Sequence, residues 1–329
     1  MLVSALLTVF SIALVPPRST CLGRRAVTAA AGVTAATSVV RPLPGVAAGV
    51  PIFGSGSVAD SLRGRQEDFE EVYERNPVDL QGLELPPGCT ATTTDVALIF
   101  VGSGGPDRET SSMKAALERQ NAQAGLTRTV AVVNWMQWFT YDTNRLSFVS
   151  RDIGRKLGKA LAKQAPNLRS LHVIGTSAGS FASDACCSAY VEACADRGVP
   201  RATVRLSLAD PFSAKLGDDK NSGRGAQFFG RTADFAEHIL NRDDPVPNTD
   251  VPLSYCYTYD VTASAERKTF PDPVKTGDGV QDFIFQSLKY HNWPLEWYAR
   301  HSETLLDSQG RVRLPSHDDL PRGAVVRVA

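Results

Sequence analysis

Between residues 96 and 262 the chain alternates short apolar runs with segments of helical spacing. Val96–Val101 (Val-Ala-Leu-Ile-Phe-Val) is continuously apolar, the pattern of a strand buried on both faces. A helical stretch follows at Ser111–Ala124, then a strand from Thr127 that runs into an aromatic loop ending at Phe139. Asn144–Lys163 carries Leu146, Val149, Ile153, Leu157 and Leu161 at helical spacing and is stopped by Pro166. Leu171–Ile174 is a strand, and Ser180–Cys194 is a helix rich in small residues. Further strands are predicted at Thr203–Leu208, Phe235–Leu240 and Tyr255–Thr262. This alternation implies right-handed crossovers and a mostly parallel sheet with helices on both faces, an α/β architecture. Upstream, Ser57–Asn76 reads as an amphipathic surface helix and Pro77–Thr94 as a loop.

Composition narrows the picture only a little. The 329 residues are 43% hydrophobic and 21% charged, which suits one α/β domain with terminal extensions. A formal net charge of zero and the lack of a basic stripe give no reason to expect a nucleic-acid partner. Cysteines at 21, 89, 186, 187, 194 and 256 fit no zinc pattern, so no metal or other cofactor is expected, and the trio at 186, 187 and 194 reads as core. A Cys89–Cys256 disulfide stays open at this level.

The first 48 residues read as targeting sequence. Met1–Val15 is apolar and uncharged, and no Asp or Glu precedes Asp60. Arg24-Arg25 precedes a mildly apolar stretch ending in small residues, like a twin-arginine export signal. Stacked, these pieces resemble the composite presequences of thylakoid-lumen proteins in algae with complex plastids, with a plain secretory leader as the alternative. The expected organisation is a presequence (1–48), an N-terminal helix and loop (49–95), a catalytic domain (96–300) and a C-terminal tail (301–329).

The chemistry centres on Gly175-Thr176-Ser177-Ala178-Gly179, a Gly-X-Ser-X-Gly sequence set between strand and helix. In that context the serine sits on a sharp turn that lifts its hydroxyl out of the sheet, above a helix N-terminus that offers free N–H groups. Ser177 is therefore the candidate nucleophile, with the backbone N–H of Ala178 as one oxyanion donor. Gly102-Ser103-Gly104-Gly105 ends the first strand, so Ser103 or Gly104 is the candidate for the second donor. A serine needs a base and the base needs an acid, in the chain order Ser, acid, His. His172 comes too early, His238 lies within a strand, and His301 and His317 fall in polar tail sequence, leaving His291. Asp210 and Asp244 each follow a strand and precede a proline, and the residues alone do not choose between them. Trp135, Trp138 and Phe139 are candidates to line an acyl pocket or touch a lipid surface, and equally to be core beneath a loop.

These segments together resemble the pancreatic-type lipases of the α/β-hydrolase fold over about residues 96–300. Val132-Val133-Asn134-Trp135, Ile153-Gly154-Arg155-Lys156-Leu157, the elbow from His172 to Ser180, Leu206-Ser207-Leu208-Ala209-Asp210-Pro211, Ala233–His238, and His291 with Tyr298 seven residues on are each similar to family segments. The resemblance implies a Ser177–His291–Asp210 triad cleaving carboxylic esters, lipid acyl esters among them, through an acyl-enzyme. Asp244-Pro245-Val246-Pro247 instead resembles the acid segment of fungal class-3 lipases, which would make Asp244 the acid. The family's His-Gly at the oxyanion loop is Val101-Gly102 here, and no cysteine-bounded lid is visible, so the resemblance does not extend to interfacial activation or a colipase-like partner. An acyltransferase on the same triad and a non-catalytic lipid- or partner-binding protein are the alternative functions.

Overall fold

The computed structural model describes residues 73–138, 145–212, 224–244, 251–271, 277, 279–302 and 321–328. The presequence, most of the expected 57–76 helix, Phe139 and His317 lie outside the described residues. Among the described residues one parallel sheet of seven strands forms the centre, in the order β2-β1-β3-β4-β5-β6-β7. The strands are β1 (Asp95–Phe100), β2 (Thr129–Val133), β3 (Ser170–Ser177), β4 (Thr203–Pro211), β5 (Phe235–Leu240), β6 (Tyr257–Asp260) and β7 (Val325–Arg327). The helices are α1 (Arg108–Ala124), α2 (Leu146–Gln164), α3 (Gly179–Asp196), α4 (Arg224–Phe228) and α5 (Gly279–His301).

Alternation along each strand feeds two cores, because successive side chains leave opposite faces of a sheet. Val96, Leu98 and Phe100 of β1 join Ile153 and Leu157 of α2 and Cys186 of α3 on one face. Ala97 and Ile99 join Met113 and Leu117 of α1 and Trp293 of α5 on the other. From Val96 onward β1 therefore has no polar side to show, as its unbroken apolar run predicts.

Helices α2 and α3 approach closely enough to require glycine. A Cβ on Gly154 would lie 2.0 Å from the Ala182 carbonyl oxygen, and one on Gly158 would lie 2.3 Å from that of Cys186. Both obstacles are backbone, so neither side chain could be accommodated without moving a helix. Gly154→Ala is expected to destabilise the fold by about 1–3 kcal/mol, the usual cost of overpacking, read as a lower urea midpoint at unchanged slope.

The expected C-terminal tail takes part in the fold. Residues 325–327 pair with β6, and the Arg322 guanidinium donates to the carbonyls of Gly230, Ala233 and Asp234. Cys89, Cys186, Cys187, Cys194 and Cys256 are all buried free thiols, so the open Cys89–Cys256 disulfide is not formed.

Two buried histidines make the fold sensitive to acid. His238 is wholly buried with neither ring nitrogen hydrogen-bonded, and burial, helped by Arg242, lowers its pKa to about 3. Burial also holds His172 well below its usual value, with Arg205 and Arg128 adding to the effect. A folded-state pKa below the unfolded one means the unfolded chain binds the proton more tightly. The stability held above the ordinary histidine value is therefore lost as pH falls toward 3. His238→Met is expected to flatten that acid-side loss, measured as urea midpoints at neutral and acidic pH. An unchanged pH profile would contradict the assignment.

Candidate active site

Ser177 ends β3 with φ 52°. It shares positive φ with Asp210 (φ 46°), and among the described residues these are the only two outside glycine. Left-handed backbone at such residues costs about 1–3 kcal/mol each and persists only where the surroundings enforce it. Both flanking glycines of the elbow are forced by contact. A Cβ on Gly175 would fall 2.2 Å from Ser183 Oγ, and one on Gly179 would fall 2.5 Å from the Val101 carbonyl oxygen. The turn is also held from below, because Ser150 Oγ of α2 donates to the Ala178 carbonyl at 2.8 Å.

The parallel register carries the site across to the next strand. Ser177 pairs opposite Pro211, and the Phe212 amide donates to the Ser177 carbonyl at 3.1 Å. Asp210, one residue back along β4, is fully buried. Its Oδ2 lies 2.8 Å from His291 Nδ1, and Asp244 Oδ2 lies 2.7 Å from the same nitrogen. The two acids that sequence left in competition thus converge on one imidazole. Burial alone would lower the His291 pKa, but the two carboxylates outweigh it and raise it.

His291 sits inside α5, three residues before Pro294. Proline has no N–H to give the carbonyl four residues back, which belongs to Tyr290. Asn241, just past β5, supplies the missing donor at 2.8 Å. Asn292 Nδ2 reaches Asp107 Oδ2 (3.4 Å) and Glu109 Oε2 (3.3 Å) at the start of α1. The histidine is therefore fixed from the sheet on one side and from α1 on the other. Nothing in the local sequence marks Asn241 or Asn292. The one indirect signal, for Asn241 alone, is Pro294, which predicts an orphan carbonyl.

The glycine loop after β1 faces the elbow. A Cβ on Gly102 would lie 3.1 Å from Ser177 Cβ, and the Gly105 amide donates to the Gly102 carbonyl at 3.1 Å. Ser103 and Gly104 lie within this turn, and Ala178 is the buried N-cap of α3. Trp135 has no exposed surface and donates Nε1–H to the Val101 carbonyl at 2.7 Å. It belongs to the core and anchors the end of β1, whereas Trp138 is half-buried against the same core. A cavity of about 250 Å³ runs along α3 between α2 and α4, lined by Phe181, Phe229, Ser188, Asp184, Arg151 and Arg155. No motif or spacing along the chain marks it. Phe181 also packs edge-on to Phe212, the residue bonded to Ser177.

Among the described residues the remaining histidines stand apart. His172 meets Ser207 Oγ at 2.8 Å beneath α5, and His301 bonds Glu266 at 2.8 Å. The ligand atoms of Asp210, Asp244 and His291 lie within 4.8 Å of one another, close enough in principle for a cation. The nitrogen-to-oxygen separations of 2.7 and 2.8 Å are nevertheless those of hydrogen bonds. His291 Nε2 is buried and makes no hydrogen bond, so it is not bonded to the Ser177 hydroxyl in this structure.

A parallel sheet in this strand order, with a serine on a strained strand-to-helix turn and a histidine–carboxylate cluster beside it, is an α/β-hydrolase fold. No family model matches the chain, and no curated protein matches it. Among solved structures, lipase B from Aspergillus fumigatus is similar at 13% identity over 68% of each chain, with a TM-score of 0.35. At that score the likeness adds no weight, and the fold assignment stands on topology and the elbow.

Proposed function

We propose that the chain is a serine hydrolase of carboxylic esters, lipid acyl esters among them. Ser177 Oγ attacks the ester carbonyl while His291 Nε2 takes its proton. The N–H groups of Ala178 and of Ser103 or Gly104 receive the oxyanion. Collapse expels the alcohol, which leaves with the proton from Nε2, and water then repeats the sequence on the acyl-enzyme. The observation that carries this reading is the strained Ser177 turn paired in register with the strand whose Asp210 holds His291. The sequence segments similar to pancreatic-type lipases, the elbow from His172 to Ser180 above all, support a lipid acyl ester as substrate.

One observation favours the non-catalytic reading, namely the unbonded His291 Nε2. Such hydrogen bonds are often long in free enzymes and tighten when substrate binds. Hydrolysis of p-nitrophenyl acyl esters of graded chain length, with fluorophosphonate labelling mapped to Ser177, tests the proposal. A protein that neither turns over nor labels would be a binder built on a hydrolase fold.

A further inference from the structure

A triad has one acid, and this site places two on the same nitrogen. His291 Nδ1 carries a single hydrogen, while Asp210 Oδ2 and Asp244 Oδ2 stand 2.8 and 2.7 Å from it. Both carboxyl side chains are wholly inaccessible to solvent. Two ionised carboxylates this close in a buried site repel strongly, so such a pair retains one proton between them. The two carboxylate oxygens and Nδ1 lie within 4.8 Å of one another, so a proton kept by one carboxyl is felt by the other. Asp210 is the better place for it, because its Oδ1 is buried without any donor. A neutral carboxyl tolerates that far better than a carboxylate does. Burial, and then the neighbouring Asp244 carboxyl, push its carboxyl well above the usual carboxylate range. Chemistry requires the same economy of charge. Two full anions on one imidazole favour the imidazolium, which has no lone pair on Nε2 to take a serine proton.

We propose that Asp210 and Asp244 work as a single acid, in which Asp244 carries the charge that receives the His291 Nδ1–H and Asp210 holds the one proton that the pair retains. This inference rests on the hydrolase reading for its kinetic consequence, but not for its structural one. The other charged groups around this end of α5 are already engaged. Asp107 and Glu109 bond Asn292, Glu109 pairs with Arg108, and Asp243 pairs with Arg267, whose guanidinium lies over the Tyr290 ring.

Asparagine replaces either carboxyl with the same shape. Asp210→Asn keeps a donor toward Asp244, and Asp244→Asn leaves Asp210 free to take over the charge. Each single variant is expected to retain kcat/KM within about 100-fold, while Asp210→Asn/Asp244→Asn falls by about 10⁴, the usual loss when a triad acid is neutralised. The acid limb of the pH profile should stay in place in Asp210→Asn, because the residue it replaces was uncharged. A loss of about 10⁴ from either single change, a double variant no worse than the singles, or an acid limb that moves to lower pH in Asp210→Asn would each overturn the pair. A readout that needs no turnover runs alongside, in Ser177→Ala protein. The low-field Nδ1–H proton resonance, assigned by its absence in His291→Gln, should persist in both single variants and vanish in the double. Its disappearance from one single variant would also overturn the pair. An inactive wild-type protein that keeps this resonance pattern would sink the hydrolase reading and leave the shared acid standing.

Discussion

Ser177→Ala lowers hydrolysis of p-nitrophenyl acyl esters by about 10⁶ and abolishes fluorophosphonate labelling, if the elbow serine is the nucleophile. The change is clean in physical terms. Alanine at φ 52° carries the same steric penalty as serine, so the turn is neither relaxed nor further strained. Among the described residues no hydrogen bond from the Ser177 hydroxyl supports the fold, and the turn keeps its Ser150–Ala178 and Phe212–Ser177 backbone links. Only the attacking oxygen is removed. The residual rate would be what the oxyanion donors and substrate positioning supply over water, about 10³–10⁴-fold. A variant that labels at the wild-type rate would place the nucleophile elsewhere and leave the strained turn without a chemical purpose.

Arg205→Met destabilises the fold by about 3–5 kcal/mol, the cost of stranding a buried charge. Glu237 has no exposed surface, and its Oε1 accepts from Arg205 Nη2 (2.6 Å) and Nε (3.0 Å), Ser207 Oγ (2.5 Å) and Tyr298 Oη (2.5 Å). His172 Nε2 meets Ser207 Oγ at 2.8 Å and completes a network under α5. Without the guanidinium, a carboxylate would remain in the interior with only neutral donors. Because the penalty belongs to the unpaired charge, Arg205→Met/Glu237→Leu is expected to recover much of the loss. Chemical denaturation of the single and double variants measures both. A single variant as stable as wild type would show that water reaches Glu237.

The strands were legible where a parallel sheet buried on both faces leaves a continuous apolar run, as Val96–Val101 shows. The elbow was legible because its glycines are forced by contacts that any such turn must make. His291 followed by elimination, since the other histidines fell on strands or in tail sequence. The joint use of Asp210 and Asp244 was not legible. Asp210 lies near the end of β4 and Asp244 four residues past β5, and only the folded sheet brings both to one ring. The Arg205–Glu237 network was equally hidden. Polar residues alternating with Val204, Leu206 and Leu208 look like a solvent-facing side, yet α5 covers them. Trp135 read equally well as pocket or core, because an aromatic loop after a strand has one pattern for both.

The final short strand has a practical consequence. Thr258, Tyr259 and Asp260 of β6 lie opposite Val325, Val326 and Arg327, and the Thr258 amide donates to Ala324. Cutting the chain before Pro321 would leave the main-chain groups along that flank of β6 without partners. It would also remove the arginine that staples three carbonyls around β5. Uncovered strand flanks of this kind recruit other copies of the chain, so shortened recombinant forms should precipitate where the full-length chain stays dispersed.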